Sequence, residues 1–144
     1  MSTANQYCTF SLDGLFFGVE VQNVQEVIRY QEMTRVPLAS SVLSGLINLR
    51  GQIVTAIDLR RRLGLPERPA GQKPMNVVVR TSDGVMSLLV DEIGDVVEVE
   101  DTLFEPPPET LPAKSRELIC GAFKLPQRLL LKLDTDKAVL ASAV

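Results

Sequence analysis

The chain has 144 residues, 45% of them apolar and 23% charged, with a net charge of −3 and no histidine. A chain of this size and composition folds as a globule. Its acidic balance argues against a nucleic-acid surface, which needs clustered cations, and the lack of histidine removes the commonest acid–base side chain and metal ligand near neutral pH.

The opening stretch "MSTANQYCTF" lacks the basic patch and apolar core of a signal peptide. No apolar run approaches the ~20 residues that span a bilayer. A soluble, cytoplasmic protein without direct membrane insertion is expected. Cys8 and Cys120 both lie in apolar-alternating stretches and read as buried thiols of a reducing compartment.

In chain order, "YCTFSLDGLFFGVEV" alternates in polarity on both sides of Asp13-Gly14, the pattern of a hairpin with a tight turn. It places Cys8, Phe10 and Leu12 on one face, Thr9 and Ser11 on the other. "VQEVIRY" and "TRVP" read as short strands about a polar kink, ended by Pro37. "LASSVLSGLINL" suggests a helical turn before Gly45 and then a strand. "QIVTAIDL" is a further strand, and "DLRRRLG" a short helix with Asp58 at its N-cap and Gly64 as its stop. The run Arg60-Arg61-Arg62 reads as a solvated helix face. "GLPERPAGQKP", Gly64 to Pro74, is the clearest break. Beyond it, "MNVVVRTSDGVMSLLVDEIGDVVEV" is strand-like about Asp83-Gly84, "FEPPPETLP" is a loop, "LICGAFKLPQRLLLKLD" is strand-like again, and "DTDKAVLASAV" suits a terminal helix capped by Asp134.

The chain also resembles itself. "VQNVQEV" from Val21 matches "VDEIGDV" from Val90 in polarity at every position but the fifth. Gly45, Leu49, Ile53, Val54, Ile57 and Asp58 recur 76 positions later as Gly121, Leu125, Leu129, Leu130, Leu133 and Asp134. A duplicated unit of about five short strands has the size of an SH3-like barrel, which closes on itself and so hides its edges. The expected fold is mainly β: two SH3-like five-stranded β-barrels packed side by side, with short helices. The first is expected in residues 1–66 and the second in 67–144, with terminal segments able to cross between them.

Enzymatic signatures are missing: no G-x-S-x-G elbow, no CxxC pair and no phosphate-cradling glycine loop. The carboxylates of "DEIGDVVEVEDTLFE" mostly alternate with apolar residues and read as a solvated face. No catalytic residue, metal or cofactor is expected, and the working class is a binding module. Arg50 is its most informative residue, because the repeat places Pro126 at the equivalent turn. An arginine demanded by the fold would recur in both copies. Glu26, in the "VQEV" strand, could meet it across the barrel as a bidentate, partly desolvated pair. A plain structural salt bridge or a solvated arginine stands beside that reading.

At these residues the chain resembles the CheW-like family of chemotaxis coupling proteins. "TRVP", the V-x-E-V/I stretch and G-x-x-N-L-R-G-x-I/V-x-x-x-I/V-D-L-R, matched from Gly45 through Arg60, carry the likeness, with "VDEIGDV", "EPPPE" and "LLKLD" in the second half. The resemblance implies two SH3-like barrels and a non-catalytic adaptor. Its implied partners are the regulatory domain of a CheA-type histidine kinase and the cytoplasmic tip of a methyl-accepting chemoreceptor. On that likeness Asn48, Arg50, Gly51 and Ile53 line the receptor groove with Val24 nearby. Glu26 and Val27 lie toward a first kinase contact, and Glu109 belongs to a second. The chain departs from the family at Glu105 and Thr110, where relatives can carry a basic and an aromatic residue, which bears on that second contact and on ring formation. The other classes are a small-ligand sensor using the groove between barrels and, last, a minimal enzyme using the acidic cluster.

Overall fold

The structure, a computed structural model, describes residues 4–36, 42–82 and 84–140. Strands β1 (Ala4–Leu12) and β2 (Leu15–Glu20) form an antiparallel hairpin. Its turn puts Asp13 and Gly14 at φ 50° and 79°, the left-handed pair a tight two-residue turn requires. After one 3-10 turn come β3 (Val24–Ile28), the β4 (Leu43–Leu49) and β5 (Gln52–Asp58) hairpin, and helix α1 (Leu59–Leu63). Next are β6 (Met75–Thr81), β7 (Gly84–Val90), β8 (Glu92–Glu100), the two-residue β9 (Phe104–Glu105) and α2 (Ala113–Arg116). The β10 (Ile119–Lys124) and β11 (Leu129–Leu133) hairpin and α3 (Thr135–Leu140) complete the chain.

The strands form two sheets, ordered β8-β1-β2-β11-β10-β9 and β3-β6-β7-β5-β4. Both follow one plan. An antiparallel hairpin (β1–β2 or β6–β7) joins a second hairpin (β10–β11 or β4–β5) through one parallel pair, β2 with β11 or β7 with β5. A strand beside the first hairpin, β8 or β3, then runs on to the far side of the second. After β8 that role falls to β9, which pairs with β10. After β3 it falls to Thr34, whose N–H and C=O both bond Leu46 at 2.8 Å. This wrapping bends each sheet into an SH3-like barrel and covers its edges.

Sheet membership crosses the expected division at residues 66 and 67 in both barrels. One takes β1 and β2 from the first half, the other β6 and β7 from the second, so the two repeats exchange their leading hairpins. The 76-residue offset holds in the registers themselves. Gly45 opposes Ala56 as Gly121 opposes Lys132, and Asn48 opposes Ile53 as Lys124 opposes Leu129. Both hairpins carry an irregularity just before the shared glycine. Each glycine is needed because the wrapping segment passes over it. A Cβ on Gly45 would stand 2.7 Å from the Thr34 carbonyl oxygen, and one on Gly121 would strike the Phe104 ring and the Glu105 carbonyl.

One apolar core joins the barrels, with Phe10, Leu12, Phe17 and Leu131 of the first sheet packed among Ile57, Val77, Leu88 and Val90 of the second. A smaller cluster gathers Tyr7, Val99, Phe123 and Leu130. The helix signals act as expected: the Asp58 carboxylate accepts the Arg61 N–H, and Gly64 ends α1 at φ 77°. The Asp134 carboxylate likewise accepts the Lys137 N–H at the start of α3.

Several expectations change. The β1 alternation is interrupted by a bulge between Cys8 and Phe10, which buries Tyr7 and Thr9 and leaves Cys8 half-buried. Cys120 is exposed, because its place in β10 puts it on the outer face. Both thiols are free; burial holds Cys8 above its ordinary pKa, and partial desolvation of the sulfur with the nearby Asp134 charge does the same for Cys120, so neither is an activated thiolate. "TRVP" contributes only the Thr34 bridge, and Pro37 lies outside the described residues. So do Leu38 to Ser41, the start of the expected helical turn. Strand β4 begins at Leu43, already before Gly45. Asp83 also lies outside.

Candidate functional site

The β4–β5 turn sets Arg50 at φ 53° and Gly51 at φ 89°. For glycine this is free of cost; for arginine the Cβ makes it unfavourable by roughly 1–2 kcal/mol. Asn48 supports the turn, its Oδ1 accepting the Gly51 N–H at 2.8 Å. The Arg50 guanidinium then reaches from the β4–β5 edge of the sheet to Glu26 on β3, the strand at the opposite edge. Nη1 donates to Glu26 Oε2 at 2.9 Å and Nη2 to Oε1 at 3.1 Å.

The pair is bidentate, as expected, but not desolvated on the arginine side: the Arg50 side chain is 80% exposed and that of Glu26 18%. Ile53, directly across from Asn48, extends the same surface and is 61% exposed. Val24 lies lower, half-buried and packed against the main core, and Val27 is exposed further along β3. Successive residues of a strand point to opposite faces, so Glu26 joins Arg50 while Val27 looks away from it. Glu109 is distant in the fold, exposed on the loop between β9 and α2 of the other barrel. There Glu105 lies 3.7 Å from Lys124, and Thr110 is exposed.

At the equivalent turn of the second barrel, Pro126 makes no ion pair. The hairpin is closed by the Leu125 N–H on the Arg128 carbonyl, and the Arg128 guanidinium lies 4.3 Å from the Phe16 ring centroid.

A second polar constellation was not foreseen. Arg60, expected on a solvated face, is buried and grips Asp91, its Nε at 2.9 Å from Oδ1 and Nη2 at 2.5 Å from Oδ2. Arg68 Nε reaches the same Oδ1 at 3.1 Å, and the Asp13 N–H donates to Oδ2 at 2.9 Å. This carboxylate thereby ties α1 and the loop after it to the β1–β2 turn of the other barrel. Burial alone would push the Asp91 carboxyl up; the hydrogen bonds from Arg60 and Asp13 and the charges of Arg60 and Arg68 outweigh it and hold the pKa below the ordinary range. Arg61 pairs with Glu67, and Arg62 donates to the Lys137 and Ala138 carbonyls. The remaining described carboxylates of the acidic stretch, Glu92, Asp95, Glu98, Glu100 and Glu105, are exposed. Among the described residues no three of Cys, Asp and Glu gather where they could hold a metal.

The arrangement offers two charged elements, one exposed at a hairpin turn and one buried between the barrels. A family model described as a CheW-like domain matches residues 6–142. The chain is 31% identical over 136 residues to "Chemotaxis protein CheW" of Bacillus subtilis, covering 94% of this chain and 87% of that one. It is 27% identical over 114 residues to "Protein PilI" of Pseudomonas aeruginosa, covering 79% and 64%. Among solved structures it resembles the scaffolding protein TtCheW from Thermoanaerobacter tengcongensis, with a TM-score of 0.84 at 25% identity over 94% of this chain and 92% of that one.

Proposed function

The chain belongs to the CheW-like domain family, and on that premise we propose that it is a non-catalytic adaptor coupling chemoreceptors to a CheA-type histidine kinase. One face takes the cytoplasmic tip of a methyl-accepting receptor through Asn48, Arg50, Gly51 and Ile53, with Val24 beneath. Another takes the kinase regulatory domain through Val27 and the neighbourhood of Glu26, and Glu109 contributes to a second kinase contact. No helix among the described residues is long and apolar enough to cross a membrane, and the adaptor works from the cytoplasm, held at the membrane by its receptor.

The observation that carries this reading is Arg50. It occupies a backbone conformation that costs energy, stays 80% exposed, and has no counterpart at Pro126 in the duplicated turn. Strain kept at an exposed position is the mark of a site whose benefit is realised outside the chain. A kinase contact at Glu109 is weakened relative to the family pattern, because Glu105 and Thr110 replace a basic and an aromatic residue there.

Co-sedimentation with membranes bearing a receptor's signalling domain, with and without the kinase regulatory domain, tests the proposal. An adaptor carries the kinase domain down only when this chain is present. Recovery of kinase domain that does not depend on the chain defeats the coupling role.

A further inference from the structure

A cleft of about 320 Å³ opens at the end of the β4–β5 hairpin remote from Arg50. Its walls include Tyr30, Met33, Ser44, Leu89, Arg68 and Lys73. The apolar part comes from Met33, Pro74 and Leu89; the charged part is Arg68, Lys73 and Asp58.

Arg68 is the unusual member. Its side chain is only 10% exposed, yet among the described residues its guanidinium makes a single hydrogen bond, from Nε to Asp91. Its Nη2 is sealed from solvent with no acceptor. A guanidinium has five N–H donors, and leaving buried donors unmet is costly. Nor is its charge fully met, since the Asp91 carboxylate is shared with Arg60. Asp13 also approaches that hub, at 4.0 Å, but on Arg60. Lys73, across the cleft, lies 5.2 Å from the Tyr30 ring centroid and makes no ion pair among the described residues. Asp58 is the one carboxylate in the lining, and it is engaged by Arg61 through the N–H at 3.3 Å and Nε at 3.6 Å.

We propose that this cleft binds a small oxyanion, a phosphate or carboxylate head-group held between Arg68 and Lys73, with the rest of the molecule against Met33 and Leu89. With Nε on Asp91 and Nη2 sealed, Arg68 offers the cleft its remaining amino group, Nη1, and Lys73 supplies a movable point charge. Tyr30 and Ser44 also line the cleft. Arg68 shares the Asp91 carboxylate with Arg60 and Lys73 has no ion pair among the described residues, so the lining favours negative charge, and the volume lies in the range of small-molecule sites. The site is separate from the Arg50 surface, so a ligand here could be carried while that surface is covered.

The test is an NMR titration of the full-length, nitrogen-15-labelled protein with inorganic phosphate and, separately, acetate, at ionic strength held constant with sodium chloride. The expected result is saturable shifts confined to the Arg68 Nε–H and the amides of Gly71, Gln72 and Lys73. Saturation by phosphate alone identifies a phosphate head-group, and saturation by both anions a general oxyanion site. Lys73→Gln should weaken binding about tenfold, the loss of one charge-assisted contact, and Arg68→Gln should abolish it. Lys73 is exposed and outside the Asp91 hub, so its variant stays folded and keeps the test decisive. Failure of both anions to saturate, or affinity unchanged in Lys73→Gln, overturns the proposal.

Discussion

Arg50 in the β4–β5 turn and Glu26 on the opposite edge strand of the same sheet meet through parallel hydrogen bonds of 2.9 and 3.1 Å. As a contribution to folding the pair is weak. An ion pair with one partner this exposed is worth about 0–1 kcal/mol, while the left-handed backbone of Arg50 costs roughly 1–2 kcal/mol. Folding therefore gains nothing net from arginine here, and the pair serves to hold a guanidinium at a fixed place on the surface.

Arg50→Gly follows directly. Glycine relieves the left-handed strain but loses the Glu26 pair and adds freedom to the unfolded chain. These effects offset, so the urea unfolding free energy should stay within about 1 kcal/mol of wild type. A much larger loss would make Arg50 a brace of the barrel.

Ile53 is 61% exposed. Ile53→Asp should change unfolding free energy by ~0.5 kcal/mol or less, as surface changes do, while reducing affinity for a receptor-tip fragment by calorimetry. Retained affinity would place Ile53 outside the interface.

Gly121 lies under β9, where a methyl group has no room. Gly121→Ala should destabilise by about 1–3 kcal/mol, the usual cost of overpacking, and should disturb the Phe104 ring resonances first. Unchanged unfolding and unchanged Phe104 signals would mean that β9 does not wrap onto β10.

Much of this fold is written locally. Asp13-Gly14, Asp58 with Gly64, and Asp134 act within a few residues of themselves, and each places its turn or cap where its chemistry demands. The 76-residue repeat is equally legible, because paired hairpin positions must keep their spacing. Partner choice is not. The alternation of β1 and β6 says that each is a strand, but nothing in it says that each leaves its own repeat for the other barrel. The same limit hid the Asp91 hub: which of Arg60, Arg61 and Arg62 turns inward depends on how α1 sits against β7, a tertiary fact. The bulge after Cys8 likewise shifts a face that strict alternation would have preserved. Of the site, the sequence offers the meeting of Glu26 and Arg50 as one reading beside a solvated arginine; it does not decide between them, since solvent access depends on what neighbouring loops leave uncovered.

Asp91 gives a prediction with a sign in pH. Its folded pKa is depressed, so its stabilising effect is present above the unfolded value of about 4 and is lost as pH falls through the lower folded value. Asp91→Asn leaves Arg60 and Arg68 buried without their carboxylate and should cost about 3–5 kcal/mol at pH 7. Unfolding free energies of wild type and variant should converge below pH 4. Parallel curves across that range would remove Asp91 as the source of acid sensitivity.

The most direct measurement titrates a helical receptor-tip fragment against wild type and Arg50→Ala while following thermal unfolding of both proteins. Loss of a charged contact covered by the partner should weaken binding by about 2–5 kcal/mol, with unfolding nearly unchanged. Affinity that holds while the melting temperature falls steeply would contradict the account and leave Arg50 as part of the barrel's own framework.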